Sequence, residues 1–94
     1  MVKIVWTDDA IQDLEEIFNY ISKDSPISAK RLIERLLQKV EMLQDFPKLG
    51  RMVPEFEKES IRELIEGSYR IIYHLKTEIE IQITRIHHSA RNLS

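Results

Sequence analysis

Apolar positions along the 94-residue chain change their spacing twice, and the changes divide it into elements. Val2, Ile4 and Trp6 recur at period two and predict a short strand over residues 2–6. From Ala10 the step lengthens to three and four: Ala10, Ile11, Leu14, Ile17, Phe18 and Ile21 form one stripe of a helix that runs to about Ser22. Thr7 stands before it as a cap for free amides, with Asp8 and Asp9 at the positive end of the helix dipole. The stretch KDSP interrupts the pattern. Ser25 as cap and Pro26 at the first helical position begin a second helix, whose stripe is Ala29, Leu32, Ile33, Leu36, Leu37, Val40 and Leu43. Pro47 and Gly50 end it. The turn between the helices is short, which predicts an antiparallel helix hairpin.

Period two returns after a polar connector, Arg51 to Ser60, that contains Pro54. Three strands are predicted, over Ile61 to Glu66, Tyr69 to Leu75, and Ile79 to about Ile86. EGS and KTE are short enough to join them as an antiparallel meander. In the middle strand Tyr69, Ile71, Tyr73 and Leu75 share one face, while Arg70, Ile72 and His74 share the other. In the last strand Ile79, Ile81 and Ile83 are expected to face inward. The alternation then fails, because Arg85 falls where an apolar residue is due and Ile86 takes the other side; a strand end or a bulge is expected there. The predicted fold class is α+β: a helix hairpin packed on one face of a small sheet, joined by the N-terminal strand.

Composition narrows the function classes. Residues 1–94 are expected to form one domain, with 43% apolar and 32% charged residues, in the globular range. Cysteine is absent, so neither a disulfide framework nor a Cys-based zinc site can be built. The N-terminus lacks the pattern of a signal peptide, no stretch approaches a membrane span, and a cytoplasmic protein is expected. Net charge is −2, so contact with nucleic acid would need a local patch. The charges are uneven. Residues 8 to 16 hold Asp8, Asp9, Asp13, Glu15 and Glu16 and no base, whereas residues 85 to 91 hold Arg85, His87, His88 and Arg91 and no acid.

Three stretches together resemble the RelE/ParE toxin superfamily of type II toxin–antitoxin systems. FPKLGRMVPEF is similar to that family's P-x-x-G-R-x-V-P-E connector, and IRELIEGSYRIIYHL to its central I-R-E-L and Y-R-I-I-Y strands. TRIHHSARNL resembles the closing R-V-x-H-x-x-R-x-L of the ParE branch. The order of elements is also the family's. The resemblance implies a toxin neutralised by a cognate antitoxin whose C-terminal segment wraps it. Two activities divide the superfamily: ParE-like members poison DNA gyrase, and RelE-like members cut messenger RNA in the ribosome. The ending favours the ParE-like branch, acting by binding. The alternatives are a RelE-like endonuclease and a decayed toxin that retains only antitoxin binding.

On the nuclease alternative the resemblance implies a catalytic set of Arg70, His88 and Arg91, with Glu55 a remote candidate base. A guanidinium would stabilise charge on the scissile phosphate, and an imidazole would transfer the proton. The tyrosine that RelE-like enzymes carry near the C-terminus is missing, and so is their lysine-rich surface. From the residues alone, the favoured reading of Arg70 is a cross-strand partner of Glu63, Glu66 or Glu80, and the resemblance brings a site-lining role to equal weight. The expected functional surface gathers Arg62, Arg70, Arg85, His88 and Arg91. Leu14, Phe18, Ile33 and Leu37, from the two helical stripes, are the expected antitoxin contacts, with an amphipathic segment docking across the hairpin and the sheet edge. His87 and His88 are adjacent and would point to opposite strand faces, so no metal site is expected, and no cofactor.

Overall fold

Thr7 marks the point where the first strand becomes a helix, and its hydroxyl serves both elements. Oγ1 accepts from the Ala10 amide at 3.2 Å, as the cap of the helix, and lies 2.9 Å from the Ile83 carbonyl of the last strand. The computed structural model describes residues 1–89. Its elements are β1 (Lys3–Trp6), α1 (Asp8–Ser22), α2 (Pro26–Glu41) with a 3-10 turn at Met42–Gln44, β2 (Arg51–Met52), β3 (Ile61–Glu66), β4 (Tyr69–Leu75) and β5 (Glu80–His88). Ser25 caps α2 through the Ser28 amide, and Pro26 occupies its first turn, as the sequence predicts.

The five strands lie in the order β1-β5-β4-β3-β2. β3, β4 and β5 form the expected antiparallel meander, and Gly67, at φ 57°, supplies the left-handed residue that the β3–β4 turn requires. β1 runs parallel to β5, from Lys3 opposite Glu80 to Trp6 opposite Ile83. Parallel neighbours need a crossover, and here it comprises the helix hairpin and the whole meander. The main core lies between hairpin and sheet: Ala10, Leu32, Leu36, Val40 and Leu43 from the helical side meet Leu64, Ile71, Tyr73, Ile81 and Ile83.

Four details differ from the sequence reading. Arg51 and Met52 form a strand, which their polar surroundings gave no reason to expect; it exists because Arg51 lies opposite Glu63 and Met52 opposite Arg62. Ile79 faces solvent, 72% exposed, because it stands in the turn before β5 begins. Phe18 and Leu37, members of the helical stripes, are 39% and 41% exposed, since they flank the seam between the helices instead of facing the sheet. Finally β5 runs on to His88, past the expected end near Ile86, and of the two irregularities expected at Arg85 it is the bulge that forms. Tyr73 pairs with Ile83 and Ile72 with Arg85, so Thr84 is the additional residue and Ile86 returns to the helix-covered face.

Tyr73 fixes how the chain enters β2. Its fully buried phenol donates to the Pro47 carbonyl at 2.9 Å and accepts from the Gly50 amide at 2.9 Å, while Arg62 Nη1 holds the Gly50 carbonyl at 2.8 Å. A Cβ on Gly50 would lie 2.5 Å from the Glu63 carbonyl and 2.8 Å from the Tyr73 ring, so no side chain fits there. Burial pushes the Tyr73 phenol above its ordinary value of 10.0, although the Gly50 amide favours the ionised form. The unfolded chain therefore loses this proton first. Its stabilising effect is complete below pH 10 and declines as pH rises towards the folded value. Tyr73→Phe should cost about 2 kcal/mol at neutral pH and flatten that alkaline decline, both read from urea unfolding between pH 7 and 11.

Candidate functional site

The face of the sheet turned away from the helices is not open. After β2 the connector folds back across it, with Val53 buried beneath and Phe56 at the rim. Under this cover Arg70 is only 7% exposed and Glu63 1%. Arg70 Nε donates to Glu63 at 2.6 Å, and its Nη1 and Nη2 fork onto the two oxygens of Glu55 at 2.8 Å each. Arg51 Nε adds a second cation to Glu63 at 2.6 Å. The Glu55 carboxylate, and then Glu63, raise the affinity of Arg70 for its proton against the opposing effect of burial. Two carboxylates hold this guanidinium on all its nitrogen atoms, so it ties the connector to β3 and β4.

The remaining expected surface residues do not converge on it. Arg62 lies opposite Tyr73 on the helix-covered face, where it grips Gly50. His88 lies opposite Tyr69, also on the helix-covered face, with ring centroids 5.5 Å apart in an edge-to-face contact. Arg70 lies opposite His87 instead. Adjacent strand residues alternate in direction, so Arg70 and His88 project from opposite sides of the sheet. Arg85 stands at the bulge on the sheet edge, and Arg91 lies outside the described residues. On the connector-covered face, His74, His87, Thr84, Arg85, Ile61, Ile72 and Phe56 line a cavity of about 370 Å³. Among the described residues no group of three or more His, Cys, Asp or Glu could hold a metal ion, and no helix is long and apolar enough to cross a membrane.

Asp13 is a functional-site neighbour that reading the charges did not single out. β1 stops opposite Ile83, so the outer edge of β5 beyond it has no strand beside it among the described residues. Asp13 reaches that edge from α1. Oδ2 accepts the Ile86 amide at 2.8 Å and Arg85 Nε at 2.9 Å, and Oδ1 accepts Arg85 Nη2 at 3.2 Å. Asp13, and more weakly Asp9 and Glu16, keep the Arg85 guanidinium protonated beyond its ordinary range. A signal was available: Asp13 falls three residues after Ala10 and four before Ile17, a core-facing position within the stripe.

Three of the four residues expected to contact an antitoxin come together. Leu14, Phe18 and Ile33 line a groove of about 390 Å³ between the two helices, with Glu15 and Asn19 at its margin. Leu37 lies one turn beyond Ile33 on α2 and is partly exposed. The groove is apolar with a polar rim, a form that accepts the apolar face of an amphipathic segment.

Comparisons with known proteins bear on this geometry. The family described as the ParE toxin of the type II toxin–antitoxin system parDE matches residues 4–93. Toxin RelE2 of Caulobacter vibrioides is 33% identical over 91 residues, covering 97% of this chain and 99% of the relative. Among solved structures, the chromosomal ParDE system of P. aeruginosa aligns with a TM-score of 0.76 and 28% identity over 94% of this chain and 96% of the other. The RelBE2 toxin–antitoxin complex of Mycobacterium tuberculosis shares the fold, with a TM-score of 0.68 and 20% identity over 97% of each chain.

The buried arginine cluster makes a quantitative demand on stability. Arg70→Ala removes the main partner of a carboxylate that has no access to water, and should lower the unfolding free energy by about 3–5 kcal/mol in urea titrations. Arg70→Lys keeps the charge but lacks the planar fork, and should recover only part of that loss. A loss below about 0.5 kcal/mol for Arg70→Ala would show that the cluster is not holding the connector.

Proposed function

The chain belongs to the ParE toxin family of type II toxin–antitoxin systems, and we propose that it arrests growth by binding a cellular target, DNA gyrase, and is silenced by a cognate antitoxin seated between α1 and α2. The observation that carries this reading is the state of Arg70. A nuclease would need that guanidinium free to meet a scissile phosphate, with a proton donor on the same side. Here both carboxylates of the cluster engage it, and His88 projects from the opposite face. The ending H-x-x-R-x-L, beginning at His88, adds support through its resemblance to the ParE branch.

One observation favours the second reading, a ribosome-dependent messenger RNA endonuclease. His74 and His87 line one cavity on the connector-covered face, where two imidazoles would suit proton transfer. The antitoxin assignment is common to both readings. It rests on the groove lined by Leu14, Phe18 and Ile33, and on two similar folds that come from toxin–antitoxin systems.

Pulse labelling separates the targets. When the chain is induced in bacteria without antitoxin, incorporation of labelled thymidine should fall within minutes, before incorporation of methionine. If methionine incorporation falls first, translation is the target, and if neither falls while soluble chain accumulates, only antitoxin binding remains. The groove is tested separately: Phe18→Asp places a charge on a partly exposed position, so the chain should fold normally while relief of growth arrest by the co-encoded antitoxin is lost.

A further inference from the structure

A second cavity, of about 440 Å³, lies on the other flank of α1 from the interhelical groove. Its roof is Asp13, Glu16, Ile17 and Tyr20 of α1; its floor is Tyr69 of β4 with Ile86 and His88 of β5. The bulge at Thr84 creates it, because the extra residue turns Ile86 and His88 towards the helix. The walls are therefore of three kinds: aliphatic at Ile17 and Ile86, aromatic at Tyr20 and Tyr69, and anionic at Glu16. Asp13 is taken up by Arg85 and the Ile86 amide. Glu16 accepts a weak exposed bond from Gln12 at 3.1 Å, which leaves its second oxygen outside that bond. Arg85 is committed to Asp13, and Glu16 is the carboxylate of the cavity wall that stands outside this pair. The Tyr20 ring already carries Lys23 Nζ 6.0 Å from its centroid, at the limit of cation–π reach.

We propose that this notch receives an arginine side chain of the antitoxin. The inference rests on the toxin–antitoxin reading above and adds a charged anchor to the apolar groove. Arginine is the match on each wall: its methylene stem lies against Ile17 and Ile86, its plane stacks on a tyrosine ring, and its fork meets the Glu16 carboxylate. A segment leaving the groove and crossing α1 spans a helix diameter of about 10 Å, which three or four extended residues cover.

The test uses the full chain with N-acetyl-arginine methylamide as the probe and the citrulline analogue, of equal shape and no charge, as the control. In two-dimensional nitrogen–proton NMR spectra, the arginine probe should shift Glu16, Tyr20, Tyr69 and His88 saturably. Glu16→Gln and the citrulline probe should each weaken the effect by about fivefold. Tyr20→Ala, at an exposed position, should speed dissociation of the co-encoded antitoxin by about tenfold. Equal responses to the two probes, or no shifts at the notch, overturn the inference. So does unchanged antitoxin dissociation in both Glu16→Gln and Tyr20→Ala. Growth arrest and its relief by antitoxin report on the toxin reading separately: intact relief with unchanged dissociation sinks the notch alone.

Discussion

A guanidinium held by two carboxylates out of water is the constraint around which this fold is arranged. Arg70, Glu63 and Glu55 come from β4, β3 and the connector; the first two are buried charges that need each other, and Glu55 closes the cluster from its more open side. Satisfying them draws the connector back across a sheet face that would otherwise be open. That folding-back sets β2 beside β3, buries Val53 and roofs the cavity in which His74 and His87 sit. The arginine that sequence places at the centre of this face is bonded to the connector and to β3. The nearby Tyr73 and Gly50 contacts fasten the start of the same connector from the helix-covered side. Many of the residues that carry the family resemblance are therefore fasteners: Pro47, Gly50, Arg51, Glu55, Arg62, Glu63, Arg70 and Tyr73 make contacts within the connector and its two strands.

Asp13 does for the opposite side of the sheet what the arginine cluster does for this one. Where β1 gives way to α1, β5 would be left with a bare amide at Ile86, and a carboxylate from the helix takes it. With Thr7 bonded to Ile83, the first helix is fixed to the last strand at two levels. The groove and the notch thus lie on the two flanks of a helix that is fastened to the sheet.

Elements with an unbroken period were legible in the sequence. The two helices, their caps at Thr7 and Ser25, and the three-stranded meander follow from spacing and turn residues alone. The irregularity at Arg85 was visible as a lapse in alternation, and the bulge is its cause. What spacing does not encode is which side of the sheet each partner covers. Period two places Arg70 away from the helix-packed face, yet it says nothing of a connector that returns over that face. For the same reason Arg62, Arg85 and His88 looked like one surface with Arg70, whereas Arg62 and His88 lie on the helix-covered face, Arg85 at the edge and Arg70 on the other face. The groove residues Leu14, Phe18 and Ile33 were named from the helical stripes, but only the seam between the helices distinguishes those that are covered from those that are partly open.

The parallel pairing of β1 with β5 has a consequence for how the molecule comes into being. Among the described strands, β1 must wait for β5 before it has a strand beside it, since Trp6 is completed only by Ile83. A nascent chain can form its helix hairpin early, from local contacts, but the sheet beneath stays unclosed until β5 is made. The hairpin then has no floor, and the cavity under α1 has neither Tyr69 nor His88. The groove between α1 and α2 therefore takes shape from contacts close in sequence, whereas the notch beneath α1 exists only once β4 and β5 are in place.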